Sequence, residues 1–386
     1  MRILIVLTYY RPHTSGLTIY AERLAHGLAA RGHQVTVLTS RFDRSCPLDE
    51  QTDGVRVVRA PVLFRISKGV IMPTIGYLAT KLVLENDVIC LHLPQFDAAG
   101  IALRGRLAGK PTTLTYHCDL KLPSGLFNWV VNQVVHVMNR LAGLLSDRVV
   151  AYTQDFAANS PFLSMFHRKL EIIPPPVELP DVPAEAVEAF AQTHHLDGSS
   201  PIIGMAARLA SEKGVEVLLR ALPRVLEAYP NAQVLFAGQY QDVLGEEIYA
   251  KRLEPLFQEH HERWKFLGVL SPVEMAAFFP NLDVIVVPSL NSTESFGLVQ
   301  VEAMLCGTPS IASNLPGVRQ PVLQSGMGEV VPIGDSQALA EAIIRVTRAR
   351  PSYVKTREEI AARWSTARTA AEYEALFMRL LAERSR

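Results

Sequence analysis

The chain has 386 residues, 48% hydrophobic and 20% charged, enough for two cores, since single cores seldom exceed about 250–300 residues. Lys+Arg and Asp+Glu each total 38, so the net charge is zero; with no basic stripe interleaved with aromatics, composition argues against a nucleic-acid partner. Cys46, Cys90, Cys118 and Cys306 are widely spaced with no CxxC pair, which points to reduced thiols in a cytosolic protein and away from a zinc site.

The opening "MRILIVLTYYRP" has an apolar core, Ile3 to Leu7, shorter than the roughly 7–15 residues of a secretory signal. It reads as a first strand, buried on both faces. No stretch reaches the roughly 18 uninterrupted apolar residues of a membrane span, so the expectation is a soluble or peripheral protein. The loop "YYRPHTSG" follows, and then Leu17, Tyr20, Ala21, Leu24, Ala25 and Leu28 recur at helical spacing up to Gly32. "HQVTVLT" is the next strand and completes a βαβ unit. Further strands are predicted at "VRVVRA" (55–60), "DVICLHL" (87–93), "TTLTYH" (112–117) and "RVVAYT" (148–153).

The proline-dense stretch "IIPPPVELPDVPAEA", 172–186, cannot continue a helix and reads as a stiff linker. The pattern then restarts with the strand "PIIGMAA", the loop "RLASEKG", the helix "VEVLLRALPRVLEAY" and the strand "AQVLFAG". The spacing from Gly16 to Gly32 matches that from Gly214 to Pro230. Later, "SPVE" (271–274) has the form of a capping box, and the buried strand "DVIVVPS" follows. The predicted fold class is α/β: two Rossmann-like, doubly wound parallel-sheet domains facing an interdomain cleft, with ligands expected at the carboxyl ends of the strands.

Four stretches carry chemistry. In "NSTESFGLVQVEAMLCGTP" (291–309) a loop carries Glu294 and a helix begins around Gly297. Glu302 is expected about two turns along, with the carboxylates roughly 9–12 Å apart. The helix head beside Glu294 would expose free N–H groups, a seat for an anion. In "AARLASEKG", Arg208 and Lys213 follow a buried strand, where two cations could converge on a diphosphate. In "HTSGL", Gly16 at the strand-to-helix turn allows close approach of backbone to phosphate, but the GxGxxG spacing of dinucleotide binders is absent. In "TYHCD", His117 and Asp119 end a strand and are expected to face the cleft, with Cys118 packing inward. Each alone also fits an ordinary surface or structural residue. No Asp-x-Asp occurs, so the usual carboxylate pair for a diphosphate-bound metal is missing.

Taken together, these stretches resemble the retaining GT-B glycosyltransferases that carry a Glu-x7-Glu signature. Glu294 and Glu302 supply the signature in a Glu-Ser-Phe-Gly context, and "LAARGHQVTVLT", "FLGVL" and "EAMLCGTPSIAS" extend the likeness over nearly the whole chain. Ser15 stands where the family commonly has the first glycine of a pair, and "IPPPVE" where it has "IPNGVD". The resemblance implies transfer of a sugar from a nucleoside-diphosphate-sugar to a hydroxyl of a glycan, lipid-linked or small-molecule acceptor, with retention, no metal and no cofactor. Under it, His117, Arg208, Lys213 and Glu294 are the catalytic candidates. The donor would also touch Gly16, Val269, Leu270, Phe296, Gly297, Leu298 and Glu302, with Glu302 on the ribose and Val269–Leu270 beside the base.

The domains implied are 1–173 on the acceptor side, 174–365 on the donor side, and a last helix, 366–386, packing back on the first. A nucleotide-sugar 2-epimerase-like enzyme and a silent nucleotide-sugar-binding protein are the alternatives. The stretch 125–145 places Asn128, Asn132, His136 and Asn139/Arg140 on one stripe of an otherwise apolar helix. Such a helix is expected to be buried. The alternative places its apolar face against a lipid-linked acceptor or the inner surface of the cell membrane.

Overall fold

The computed structural model describes residues 1–385 except 67–68, 120–124 and 244, without the side chains of 66 and 126–128. The chain divides into two compact units, Met1–Pro176 with Trp364–Arg386, and Val177–Arg363.

The first unit contains strands β1 (Arg2–Val6), β2 (Gln34–Arg41), β3 (Asp49–Thr52), β4 (Val55–Pro61), β5 (Phe64–Ile66), β6 (Gly69–Ile71), β7 (Val88–Leu93), β8 (Thr112–Tyr116), β9 (Arg148–Ala151) and β10 (Leu170–Ile172). Helices α1 (Gly16–Ala30), α2 (Ile75–Glu85), α3 (Ala98–Leu107), α4 (Leu126–Leu145) and α5 (Gln154–Asn159) connect them. The main sheet runs β10-β9-β8-β7-β1-β2-β4-β3. It is parallel except at β3, which pairs antiparallel with β4, while β5 and β6 form a separate hairpin.

Helix α1 starts where the Ser15 hydroxyl accepts the Thr18 N–H at 3.2 Å, an N-cap. Its inward face is Tyr20, Ala21, Leu24, Ala25 and Leu28, all fully buried. The C-terminal helix, Thr366–Arg384, lies along α1 and buries Tyr373, Leu376, Phe377 and Leu380, each contributing about 1.5–3 kcal/mol on burial. A Cβ at Gly27 would stand 2.9 Å from Thr366 Cγ2 and 3.0 Å from Ala370 Cβ, so the two backbones approach closely only because residue 27 lacks one.

Helix α4 differs from the buried helix expected. It packs against α3; Asn139 and Ala142 are both 0% exposed, and Asn132 and His136 are half-buried. Trp129, Val130, Val134, Val137, Leu141 and Leu144 are exposed instead. Part of the polar stripe therefore turns inward and the apolar stripe outward, with Arg140 exposed; the Asn128 side chain lies outside the described residues. Both amide atoms of Asn139 and Oδ1 of Asn132 are buried without a hydrogen-bond partner among the described residues, a cost of about 1–3 kcal/mol per group.

The second unit contains β11 (Ile202–Ala206), β12 (Gln233–Ala237), β13 (Trp264–Gly268), β14 (Val284–Val287), β15 (Ser310–Ser313) and β16 (Gly328–Val331). Its helices are α6 (Ala184–Thr193), α7 (Val215–Ala228), α8 (Glu247–Glu259), α9 (Pro272–Phe278), α10 (Leu298–Leu305), α11 (Gln320–Ser325), α12 (Ser336–Arg348), α13 (Arg350–Tyr353) and α14 (Arg357–Ala361). The sheet order β13-β12-β11-β14-β15-β16 is wholly parallel, the 3-2-1-4-5-6 order of a Rossmann sheet. The amphipathic helices α7 and α12 cover one face. Helix α9 begins with the capping box its sequence requires: Glu274 N–H to Ser271 Oγ at 3.3 Å and Ser271 N–H to Glu274 Oε2 at 2.7 Å.

Candidate functional site

In a doubly wound sheet the loops at the strand carboxyl ends diverge where the strand order reverses, and that opening takes the ligand. In the second unit the reversal lies between β11 and β14. The loop after β11 carries Arg208 and Lys213; the segment after β14 carries Glu294 and leads into α10.

The two loops are stitched together. Leu290 N–H donates to Glu212 O at 2.9 Å. Gly214 has φ +70, and a Cβ there would lie 2.0 Å from Pro288 O, so only glycine permits this approach. Lys213 is thereby delivered to Glu294, its Nζ donating to Oε2 at 2.5 Å, with each side chain about one-fifth exposed. The other carboxylate oxygen, Oε1, accepts Gly297 N–H at 3.1 Å. Arg208 lies in the same loop, more exposed, with Nη2 3.3 Å from Glu212 Oε1.

The head of α10 is fixed from beneath. Phe296 is buried. Gln300, wholly buried, donates from Nε2 to Phe296 O at 3.0 Å and Val318 O at 2.9 Å, and accepts Ser310 Oγ at 3.1 Å. Gly297 is the N-cap at φ +77, and Leu298 opens the helix. Glu302 is the fifth residue of α10 and only 8% exposed, so it sits just past the first turn rather than two turns along. The helix starts at Leu298 and the residues before it are not helical. This constellation sets a half-buried ammonium–carboxylate pair at the head of α10, which suits a ligand with both an anionic group and hydroxyls.

The structure brings Lys213, Glu294, Phe296, Gly297 and Leu298 together by direct bonds or chain adjacency, with Arg208 on the same loop. Val269, 64% exposed, and half-buried Leu270 follow β13, the edge strand two positions from β11. Gly16 opens α1, and a Cβ there would meet nothing within 4 Å. Ser15 has an extended backbone, φ −157, so its position demands no glycine. Among the described residues, no group of three or more His, Cys, Asp or Glu side chains is arranged to hold a metal ion.

His117 follows β8 at its carboxyl end, yet it is only 5% exposed, against the cleft-facing ring expected. Its Nε2 lies 2.8 Å from His92 Nδ1, and its Nδ1 is hydrogen-bonded to the Tyr152 hydroxyl. Burial, reinforced by His92, holds the His117 imidazole well below its ordinary pKa; burial alone lowers His92 to about 3. Asp119 accepts hydrogen bonds from Tyr116 Oη at 3.0 Å and Ser160 Oγ at 2.8 Å, and Cys118 is half-buried.

Sequence reasoning missed Gly214 as the close-approach residue, Gln300 as the lock beneath Phe296, and His92 and Tyr152 as partners of His117. Gly214 sits next to the conspicuous Lys213, which was the available signal. Gln300 has the sequence appearance of a surface residue on a helix.

Comparison with known proteins supplies the remaining context. Residues 187–363 match the family described as Glycosyl transferases group 1, and residues 15–176 match the Glycosyl transferase 4-like domain. The chain belongs to the group 1 glycosyltransferases. It is 27% identical over 357 residues to a phosphatidyl-myo-inositol mannosyltransferase of Mycobacterium leprae, covering 90% of this chain and 88% of that one. In fold it matches sucrose-phosphate synthase from Thermosynechococcus elongatus, with a TM-score of 0.78 at 23% identity over 99% of both chains. It also matches the Anabaena protein HepE in complex with UDP-glucose, with a TM-score of 0.75 at 18% identity, covering 97% of this chain and 99% of that one. The fold of this group 1 glycosyltransferase is thus GT-B.

Proposed function

We propose that this glycosyltransferase moves a sugar from a nucleoside-diphosphate-sugar to an acceptor hydroxyl with retention of anomeric configuration, using neither metal nor cofactor. The observation that carries this reading is the Lys213–Glu294 pair, held at the strand-order reversal beside the Gly297 N–H. On binding, Lys213 and Arg208 take the donor diphosphate, and Glu294 turns to hydroxyls of the transferred sugar. The backbone of Phe296, Gly297 and Leu298 completes the phosphate and sugar site. Glu302 takes the ribose, and Val269–Leu270 flank the base. From the first unit, Gly16 is assigned to donor phosphate and His117 to the transferred sugar.

In the proposed step the bond from the anomeric carbon to the leaving phosphate oxygen breaks through an oxocarbenium-like transition state. The acceptor oxygen attacks from the same face and its proton passes to the departing diphosphate. The cations stabilise the charge that grows on that diphosphate, so the protein contributes positioning and electrostatics more than acid–base chemistry. Arg208 and Lys213 are the charges available for this, in a chain without Asp-x-Asp.

The acceptor is proposed to be lipid-linked, with the apolar face of α4 resting on the inner surface of the cell membrane. Two observations support this: the unpartnered row from Trp129 to Leu144, and a relative whose name specifies a phosphatidyl-inositol acceptor. No described helix is long and apolar enough to cross a membrane.

Lys213→Ala and Glu294→Ala are each expected to lower sugar transfer by about 100- to 1000-fold, the cost of losing one charge-stabilising group. Circular dichroism and thermal unfolding should remain near wild type. Transfer at the wild-type rate in either variant defeats the assignment of that residue.

A further inference from the structure

We propose that Cys90, His92, His117 and Tyr152 form one hydrogen-bonded chain that fixes the tautomer and ring orientation of His117, making His92 and Tyr152 positioning residues for sugar transfer. The catalytic part of this inference rests on the glycosyl-transfer reading above; the structural part does not.

The chain runs from Tyr152 Oη to His117 Nδ1, from His117 Nε2 to His92 Nδ1 at 2.8 Å, and from His92 Nε2 to Cys90 Sγ at 3.6 Å. A neutral imidazole has one N–H donor and one bare nitrogen acceptor. The bond between the two rings therefore links their tautomers: if His117 donates from Nε2, His92 is also the Nε2–H form, and if His92 donates from Nδ1, both are Nδ1–H. Only two arrangements keep these three bonds with neutral rings. In one, Tyr152 donates inward and His92 donates to the Cys90 sulfur, which also lies 3.9 Å from Thr115 Oγ1. In the other, the thiol donates and the chain ends on the Tyr152 oxygen. A phenol is a far stronger donor than a thiol, so the first holds, with His117 protonated on Nε2.

The surroundings keep the rings in place and neutral. Tyr20 from α1 meets His117 edge-on at 4.9 Å and stacks on Tyr152 at 5.2 Å. The Tyr20 hydroxyl lies 2.8 Å from that of Tyr373 on the C-terminal helix, which in turn lies 2.7 Å from Thr115 Oγ1 on β8. His117 thus meets Tyr20 from α1, His92 from β7 and Tyr152 just past β9, and Cys90, Tyr373 and Thr115 lie further out along the bonds. Burial pushes the Cys90 thiol up to about 11 and raises both Tyr20 and Tyr373, so these three neighbours stay neutral. The main chain is pinned as well, with His117 N–H donating to Leu93 O at 3.0 Å. With both ring nitrogens bonded, His117 is an oriented neutral ring and not a proton carrier, and it acts on the sugar by the placement of that ring and not through a free nitrogen.

Nitrogen-15 spectra of the histidine-labelled full chain test this without any variant. Expected are two imidazoles in the Nε2–H form that do not titrate between pH 5.5 and 8. Rapidly exchanging tautomers, or titration of either ring near 6.5, would overturn it. Kinetics supply the second arm. Tyr152→Phe keeps the stacked ring but removes the donor, and should lower kcat about 10-fold with donor affinity within about 2-fold. Its spectrum should show mixed tautomers at His117. His92→Asn, whose amide oxygen can stand in for Nδ1, should hold kcat within about 3-fold, whereas His92→Leu should match Tyr152→Phe. A Tyr152→Phe protein with wild-type kcat and wild-type spectrum defeats the proposal. Should the wild-type chain transfer no sugar, the functional reading fails, and the spectra still decide whether the chain of bonds exists.

Discussion

The two sheets of this chain are built alike and finished differently. In the second unit, the carboxyl ends of β11 and β14 carry partly exposed charges: Lys213 against Glu294, and Arg208 beside Glu212. In the first, the corresponding ends of β7, β8 and β9 close over neutral groups, with His92, His117 and Tyr152 buried and bonded to one another. Charges that must meet a ligand have to stay near solvent until it arrives, because a buried unpaired ion is costly. A group whose task is orientation gains from burial, which removes alternative rotamers and protonation states. The first unit also leaves an apolar helix face uncovered, whereas the apolar faces of α7 and α12 lie inside the second.

The largest effect expected on this contrast comes at Gly214. Gly214→Ala must displace the Pro288 carbonyl and should cost about 2–4 kcal/mol in denaturant unfolding, with transfer lost as Lys213 and Glu294 separate. Gly326→Ala is the control, because its φ is also positive at +72 but nothing lies within 4 Å; about 1 kcal/mol is expected there. Equal costs at the two positions would show that the loop stitching is not specific.

Acid should act on the first unit before the second. His92 and His117 have folded pKa values lowered by burial from an unfolded value near 6.5. The unfolded chain therefore binds more protons below that value, and stability falls as pH drops from 6.5 toward about 3. The two rings together should remove about 2 kcal/mol between pH 6.5 and 5.5. Unfolding followed at both pH values checks this, and a His92→Asn chain should lose about half as much. A flat profile would place both imidazoles in a solvated environment.

The smallest stability effect is predicted on the exposed face of α4. Val137→Lys should change stability by no more than about 0.5 kcal/mol, yet weaken sedimentation with phospholipid vesicles. A large stability loss would mean that the face is packed, and unchanged vesicle binding would remove the membrane contact.

Much of the scaffold was legible because parallel strands covered on both faces must be continuous apolar runs. "RILIVLT", "VRVVRA", "DVICLHL" and "DVIVVPS" each lie over an observed strand. The polar edge strand β3 and the short hairpin β5–β6 escaped because exposed pairing leaves no apolar run to read. At the candidate site, Arg208, Lys213 and Glu294 could be picked out as charged residues after buried strands. The partners that hold them could not: Gln300 and Gly214 act through contacts with Val318 and Pro288, far away in the chain.

Periodicity along α4 fixed which of its side chains share a face, and the alternation of strand and helix fixed the α/β class, since both follow from local backbone geometry. Which face of α4 turns inward, how deep His117 lies, and that Lys213 reaches Glu294 were settled only by tertiary packing. Each depends on residues brought together from distant parts of the chain, where spacing along the sequence carries no distance information.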